Sequence, residues 1–310
     1  MSLNIKKTFW VIFFVFLSSI SQSEIRVIDG DTIVLNGEKI RFNGIDAPEL
    51  NQTCVREVKR TQCGVKAKEI LLKKIGNSKL DCIKQGKDRY NRTLGECFVR
   101  GESLSRFLVK RGYAFAYRNY SEKFIDEEEF AKKNNLGVWS STFQYPWDFR
   151  KTIRALKKGK KIIFIRHALA PGSGDPDIFN LDDCSTQRNL NNIGVTQSKE
   201  IGKFFISNKI GIDEVLSSEW CRCKDTAKYA FGNFRSFNGL NSFYQKRFYK
   251  FKEKQIKDLK ELINNWKNDN NLILVTHYVV ILEMLDITTS SGEIIITDKN
   301  LNIISKIETL

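Results

Sequence analysis

The chain has 310 residues, 41% of them hydrophobic and 28% charged, with a formal net charge of +15. That length suits two domains of ordinary size, and that balance reads as globular rather than disordered. The positive excess is spread over both halves, so it attracts polyanions in general and identifies no particular partner.

Residues 1–23 read as a secretory signal. Lys6 and Lys7 precede an apolar run from Phe9 to Leu17, and small residues follow it. The run is shorter than the about 20 residues a membrane span needs. A secreted or periplasmic location is expected, with a membrane tether only if the signal stays uncleaved.

From Ile25 to Ile45 the chain reads as β, with an Asn36-Gly37 hairpin turn. Residues 66–75 read as a helix, and 80–83 and 93–99 as paired strands. Helices follow at 104–111, closed by Gly112, and at 125–133. Strands followed by helices suggest a small α+β domain over 24–145. A basic link is expected at 146–160. Residues 161–310 then change character, with a continuous apolar strand at 162–165 and alternating helical and strand-like segments. These predict an α/β three-layer sandwich with a mainly parallel sheet, ending in a hairpin over 293–297 and 301–307.

Seven cysteines fit an oxidising compartment. Cys54–Cys63 would close a loop and Cys82–Cys97 would join neighbouring strands. Cys184 would bond Cys221 or Cys223, leaving one thiol free.

Three clusters in the first half mix carboxylates and arginines: Asp29-Gly30-Asp31, Arg41 to Glu49, and Asp88 to Arg92. Phosphodiester hydrolysis needs such a mixture. Carboxylates hold a hard cation, guanidiniums clamp phosphate, and a further carboxylate activates water. Over roughly residues 24–140 these motifs resemble the staphylococcal nuclease family. The resemblance implies an OB-fold-like five-stranded β-barrel with helices. It also implies Ca2+ held by Asp31, Asp46 and the backbone carbonyl of Ala47. Arg41 and Arg92 would be catalytic phosphate contacts, Glu49 the general base and Asp29 a supporting residue. The substrate would be DNA or RNA, cut to leave 3′-phosphates.

The chain has two histidines, each just after an apolar strand. Arg166-His167-Ala168, Leu190 to Gln197, Ser217 to Ala227 and Val275-Thr276-His277 resemble, as a set, the histidine phosphatase (phosphoglycerate mutase-like) superfamily. By that resemblance His167 is the nucleophile, and Arg166, Arg222 and His277 surround the phosphoryl oxygens. The substrate would be a small phosphomonoester or nucleotide, with no cofactor. The leaving-group acid is open among Asp175, Asp177, Asp182 and Asp183. The expectation is thus an exported bifunctional hydrolase. The alternatives are a nuclease with a non-catalytic phosphate-binding second domain, or a non-enzymatic polyanion-binding envelope protein. No protein partner can be inferred.

Overall fold

The computed structural model describes residues 24–56 and 59–309. The signal read at 1–23 lies outside the described residues. Among them, no helix is long and apolar enough to cross a membrane.

The N-terminal part begins with strands β1 (Ile25–Val27), β2 (Thr32–Leu35), β3 (Glu38–Phe42), β4 (Ile45–Asp46), β5 (Cys54–Arg56) and β6 (Lys59–Thr61). Helix α1 (Cys63–Ile75) leads to β7 (Leu80–Lys87), β8 (Thr93–Val99) and β9 (Glu102–Ser103). Then come α2 (Leu104–Lys110), β10 (Phe115–Ala116) and α3 (Ile125–Lys133). The main sheet runs β1-β2-β3-β8-β7, with β9 on β8. Pairing at its two ends does not close a ring among the described residues, so the expected barrel is seen as an open sheet. The β2–β3 turn uses Asn36 and Gly37, both at positive φ (51° and 82°), the geometry a two-residue hairpin requires. Ile33, Ile40, Phe42, Leu71, Leu104 and Leu108 form the core between sheet and helices.

The segment read as a basic link is helix α4 (Pro146–Lys157). Proline at its first turn suits a helix start. Its Phe149 and Leu156 are buried in a core shared with the second half, an apolar stripe that the surrounding lysines and arginines obscure.

The C-terminal part continues with β11 (Ile162–Arg166), α5 (Asn192–Ser207), β12 (Ile212–Ser217), α6 (Cys221–Phe231) and β13 (Arg235–Ser236). Helices α7 (Lys246–Tyr249) and α8 (Lys252–Asn265), β14 (Asn271–Thr276), α9 (Tyr278–Leu285), β15 (Ile294–Thr297) and β16 (Ile303–Ile307) complete it. The sheet order is β13-β12-β14-β11-β15-β16. Strands β13, β12, β14 and β11 are parallel, whereas β15 and β16 are antiparallel. Alternate residues of β11 face opposite cores. Ile163 and Ile165 pack with α4, α5 and α6, whereas Ile162 and Phe164 pack with α8 and α9. The sheet therefore lies between two helical layers.

Three disulfides join Cys54–Cys63, Cys82–Cys97 and Cys184–Cys221. Cys223 is the free thiol. It is buried, and burial pushes its pKa up to about 12.

Candidate functional sites

The first site is built on the β2–β3 hairpin and the turn leading into it. Gly30 is required there, because a Cβ would stand 2.7 Å from the Ala47 side chain and 2.8 Å from that of Ala67. That close approach carries Asp31 under the loop after β4. The backbone N–H of Ala47 donates to Asp31 Oδ2 at 2.6 Å, and Thr32 Oγ1 donates to Oδ1 at 3.0 Å. Thr32 pairs with Arg41 across the hairpin, so Arg41 rises beside Asp31. Its guanidinium bridges two buried carboxylates, Asp31 at 2.8 Å and Asp46 at 2.7 Å. Asp46 is held from its other side by β10, where Phe115 is its partner.

Burial, reinforced by the charge of Asp31, pushes the Asp29 carboxyl up to about 7. Glu49 stands at the rim of the cluster. Its carbonyl lies against Gly64 of α1, where a Cβ would approach to 1.8 Å, so that glycine fixes the loop's path.

Arg92 is placed differently. Asp88 Oδ1 accepts from the backbone N–H groups of Tyr90 and Arg92, forming a turn with Asn91 in the left-handed region at φ 61°. Asp88 Oδ2 takes the Arg92 guanidinium at 2.7 Å. Among the described residues, the hydrogen bonds of the Arg92 side chain go to Asp88 and none reaches the Asp31–Asp46 cluster. The guanidinium that joins Arg41 in that cluster is one the sequence did not single out. Arg150, on α4, donates to Asp46 Oδ2 at 2.6 Å, to Asp46 Oδ1 at 3.1 Å and to Glu49 Oε1 at 2.7 Å. Among the described residues, no group of three or more His, Cys, Asp or Glu side chains is arranged to hold a metal ion.

The second site lies at the C-terminal ends of β11 and β14, adjacent parallel strands that bring His167 and His277 together. Their rings stand 5.5 Å apart. His167 Nδ1 lies 2.8 Å from the carbonyl of Ala168. A carbonyl only accepts, so Nδ1 carries the proton and Nε2 keeps a free lone pair. The other motif residues fix the loop after His167. Gln197 Oε1 accepts from the Leu169 N–H at 2.9 Å, and Thr226 Oγ1 accepts from the Ala168 N–H at 2.9 Å. A Cβ at Gly194 would stand 2.2 Å from the Leu169 carbonyl, so only glycine lets α5 approach there. His277 Nε2 lies 2.9 Å from Ser218 Oγ, which donates onward to Asn241 Oδ1 at 3.1 Å.

The two histidines line a cavity of about 100 Å³ together with Arg166, Asp175, Arg188 and Arg222. Three guanidiniums face one carboxylate, and Nε of both Arg166 and Arg222 is buried with no hydrogen-bond partner. A small anion is the complementary ligand. Asp175 holds Arg222 through paired contacts at 2.7 and 3.1 Å and accepts from Trp220 Nε1 at 3.0 Å. Asp177, Asp182 and Asp183 do not line the cavity.

Burial, and next the charge of Arg222, holds both histidines well below the usual 6.5. The two rings are therefore expected to stay neutral at pH 6 in an NMR titration, which two histidines make simple to assign. The unfolded chain takes up protons below about 6.5 and the native one does not. These rings therefore cost stability as pH falls through that value and none above it.

Residues 39–141 match the family described as Staphylococcal nuclease homologue. A succinoglycan biosynthesis protein, ExoI, of Rhizobium meliloti is 36% identical over 36% of this chain and 61% of its own length. An uncharacterized endonuclease of Haemophilus influenzae is 29% identical over 37% of this chain and 64% of its own. Endonuclease YhcR of Bacillus subtilis is 34% identical over 40% of this chain and 12% of its own. The chain thus spans a little over three fifths of the first two relatives. Residues 39–141 are a staphylococcal nuclease domain. The family match contains Arg41, Asp46, Glu49 and Arg92, and it ends before Arg150 and before the second site.

Proposed function

We propose that the protein is an exported hydrolase with two active sites, a calcium-dependent nuclease at Asp31–Arg41–Asp46 and a phosphomonoesterase at His167. The observation supporting the first is one guanidinium bridging two buried carboxylates beside Glu49, Asp46 within the family match over 39–141 and Asp31 just before it, in a chain whose relatives include named endonucleases. The donor set suits a hard divalent cation: carboxylate oxygens of Asp31 and Asp46 and the carbonyl of Ala47 are all oxygen. A cation held by these groups supplies charge neutralisation at the phosphate oxygens. Glu49, at the solvent-facing rim, accepts the proton of the attacking water. Arg41 stabilises the negative charge that builds on the phosphoryl oxygens as the P–O bond breaks. Arg92 lies on a separate turn and binds a phosphate of the strand on leaving Asp88.

For the second site the supporting observation is His167 Nδ1 at 2.8 Å from the Ala168 carbonyl, which leaves Nε2 free, in a ring whose pKa burial holds below its usual value. Nε2 attacks phosphorus, an N–P bond forms, and the ester P–O bond breaks. Arg166, Arg222 and His277 hold the phosphoryl oxygens. Asp175 is the acid for the leaving oxygen. As it stands, burial that would raise its pKa is outweighed by Arg222, which holds it below the usual carboxylate value. A phosphate dianion takes over Arg222 and leaves Asp175 facing negative charge, which raises its pKa and lets it carry the proton. Water then cleaves the N–P bond with Asp175 as base, releasing inorganic phosphate and restoring His167.

The two activities meet on one substrate if cleavage leaves terminal phosphates. The intact chain is then expected to release inorganic phosphate from DNA in the presence of calcium. Cleavage without phosphate release would remove the second half of the proposal.

A further inference from the structure

Arg150 stands outside the matched domain, yet it makes more contacts with the carboxylate cluster than Arg92 does. It is delivered by α4, whose position is fixed from the other side. Phe149 and Leu156 are buried in the core of the second half, and Thr152 Oγ1 donates to Ser305 Oγ of β16 at 2.7 Å. With the helix anchored there, Arg150 projects into the nuclease site. Its two terminal nitrogens straddle both oxygens of Asp46, and one also reaches Glu49. Asp46 Oδ1 is at the same time an acceptor from Arg41 at 2.7 Å. Asp46 is fully buried, whereas Arg150 and Glu49 each keep 36% of the side chain exposed.

These contacts have a consequence for any cation at the site. A carboxylate edge occupied by a paired guanidinium cannot offer the same lone pairs to a metal ion. A divalent charge brought to that edge would also sit within hydrogen-bond distance of a fixed positive charge, and like charges that close repel strongly. Arg150 on Asp46 and a cation on Asp46 are therefore mutually exclusive. The partial exposure of Arg150 gives its side chain somewhere to go, and Glu49 offers a contact outside the buried oxygens.

We infer that Arg150 is a positioning residue of the nuclease site that serves as the built-in counter-cation of Asp46 and Glu49 and is displaced when a divalent cation binds. The inference rests on the calcium-dependent reading of that site. On this view the site is completed by a helix belonging to the neighbouring core. Cation binding is opposed by an intramolecular competitor, which keeps the buried carboxylate neutralised until the cation arrives.

The test is a calorimetric titration of the full chain with Ca2+, with circular dichroism to confirm folding. Arg150→Gln removes the competitor and is expected to bind Ca2+ about tenfold more tightly, about 1.4 kcal/mol. Arg150→Lys keeps the charge but loses the paired contacts and should fall between Gln and wild type. It serves in place of Gln if that variant does not fold. Adding Asp46→Asn to Arg150→Gln should abolish the gain. A merely structural role for Arg150 would loosen the site on substitution. Unchanged or weaker Ca2+ binding in a folded Arg150→Gln or Arg150→Lys variant overturns the inference while leaving the calcium reading intact. If wild type and variants all take up no Ca2+, the calcium reading falls, and the inference with it.

Discussion

Arg41→Gln is expected to abolish DNA cleavage and to destabilise the fold. Among the described residues, Arg41 is the only side chain bridging Asp31 and Asp46, and both carboxylates are buried. Removing one partner of a buried ion pair leaves an uncompensated charge, which costs about 3–5 kcal/mol. Arg150 remains on Asp46, so the lower end, about 3 kcal/mol, is expected in urea unfolding. The rate loss should be larger than stability explains. A guanidinium that stabilises charge on a transferring phosphoryl group contributes about 10³–10⁵-fold. Arg41→Lys separates the two effects. It keeps a positive charge beside the carboxylates but cannot span them with a planar fork. Stability should largely return while cleavage stays low. Near-normal cleavage by Arg41→Gln would remove Arg41 from the catalytic role.

His167→Ala is expected to lower hydrolysis of a simple aryl phosphate by at least about four orders of magnitude, since loss of a covalent nucleophile disables the whole catalytic unit. DNA cleavage should be unchanged, because His167 belongs to a different sheet from the Asp31–Asp46 cluster. The substitution itself is small in structural terms. Among the described residues, the ring's one close hydrogen bond is to the adjacent Ala168 carbonyl, and the loop is held independently by Gln197 and Thr226. Folding should survive, and binding of inorganic phosphate should persist through Arg166 and Arg222. A variant that retains full phosphatase activity would contradict the assignment of the nucleophile.

How far the sequence foretold these sites depended on the range of the interactions. Asn36-Gly37 announces its hairpin because two residues alone decide the turn. The helix over 125–133 and the strands at 294–297 and 303–307 follow from local periodicity. The motif residues 190–197 were noticeable in sequence. Their purpose, holding Leu169 by Gln197 and letting α5 approach through Gly194, is visible only in three dimensions. Helix α4 was hidden by its own charge: with seven basic residues over 150–161, the stripe of Phe149 and Leu156 looked like a link. Arg150 was one cation in that cluster, and nothing local marks it as the partner of a carboxylate more than 100 positions earlier. Asp175 was one of four equivalent aspartates until the loop placed it alone in the cavity with Arg222. Arg92 shows the converse. Its motif was plain, but its guanidinium is taken by Asp88, a short-range pair that the motif also contained.

The most direct test of the nuclease assignment is the release of acid-soluble nucleotides from DNA by the purified full-length chain, with Ca2+ and with excess EDTA. Robust release with Ca2+, lost in EDTA and restored by added Ca2+, is the expected result. Release that persists unchanged in EDTA would contradict the role given to Asp31 and Asp46, and no release under either condition would contradict the nuclease itself.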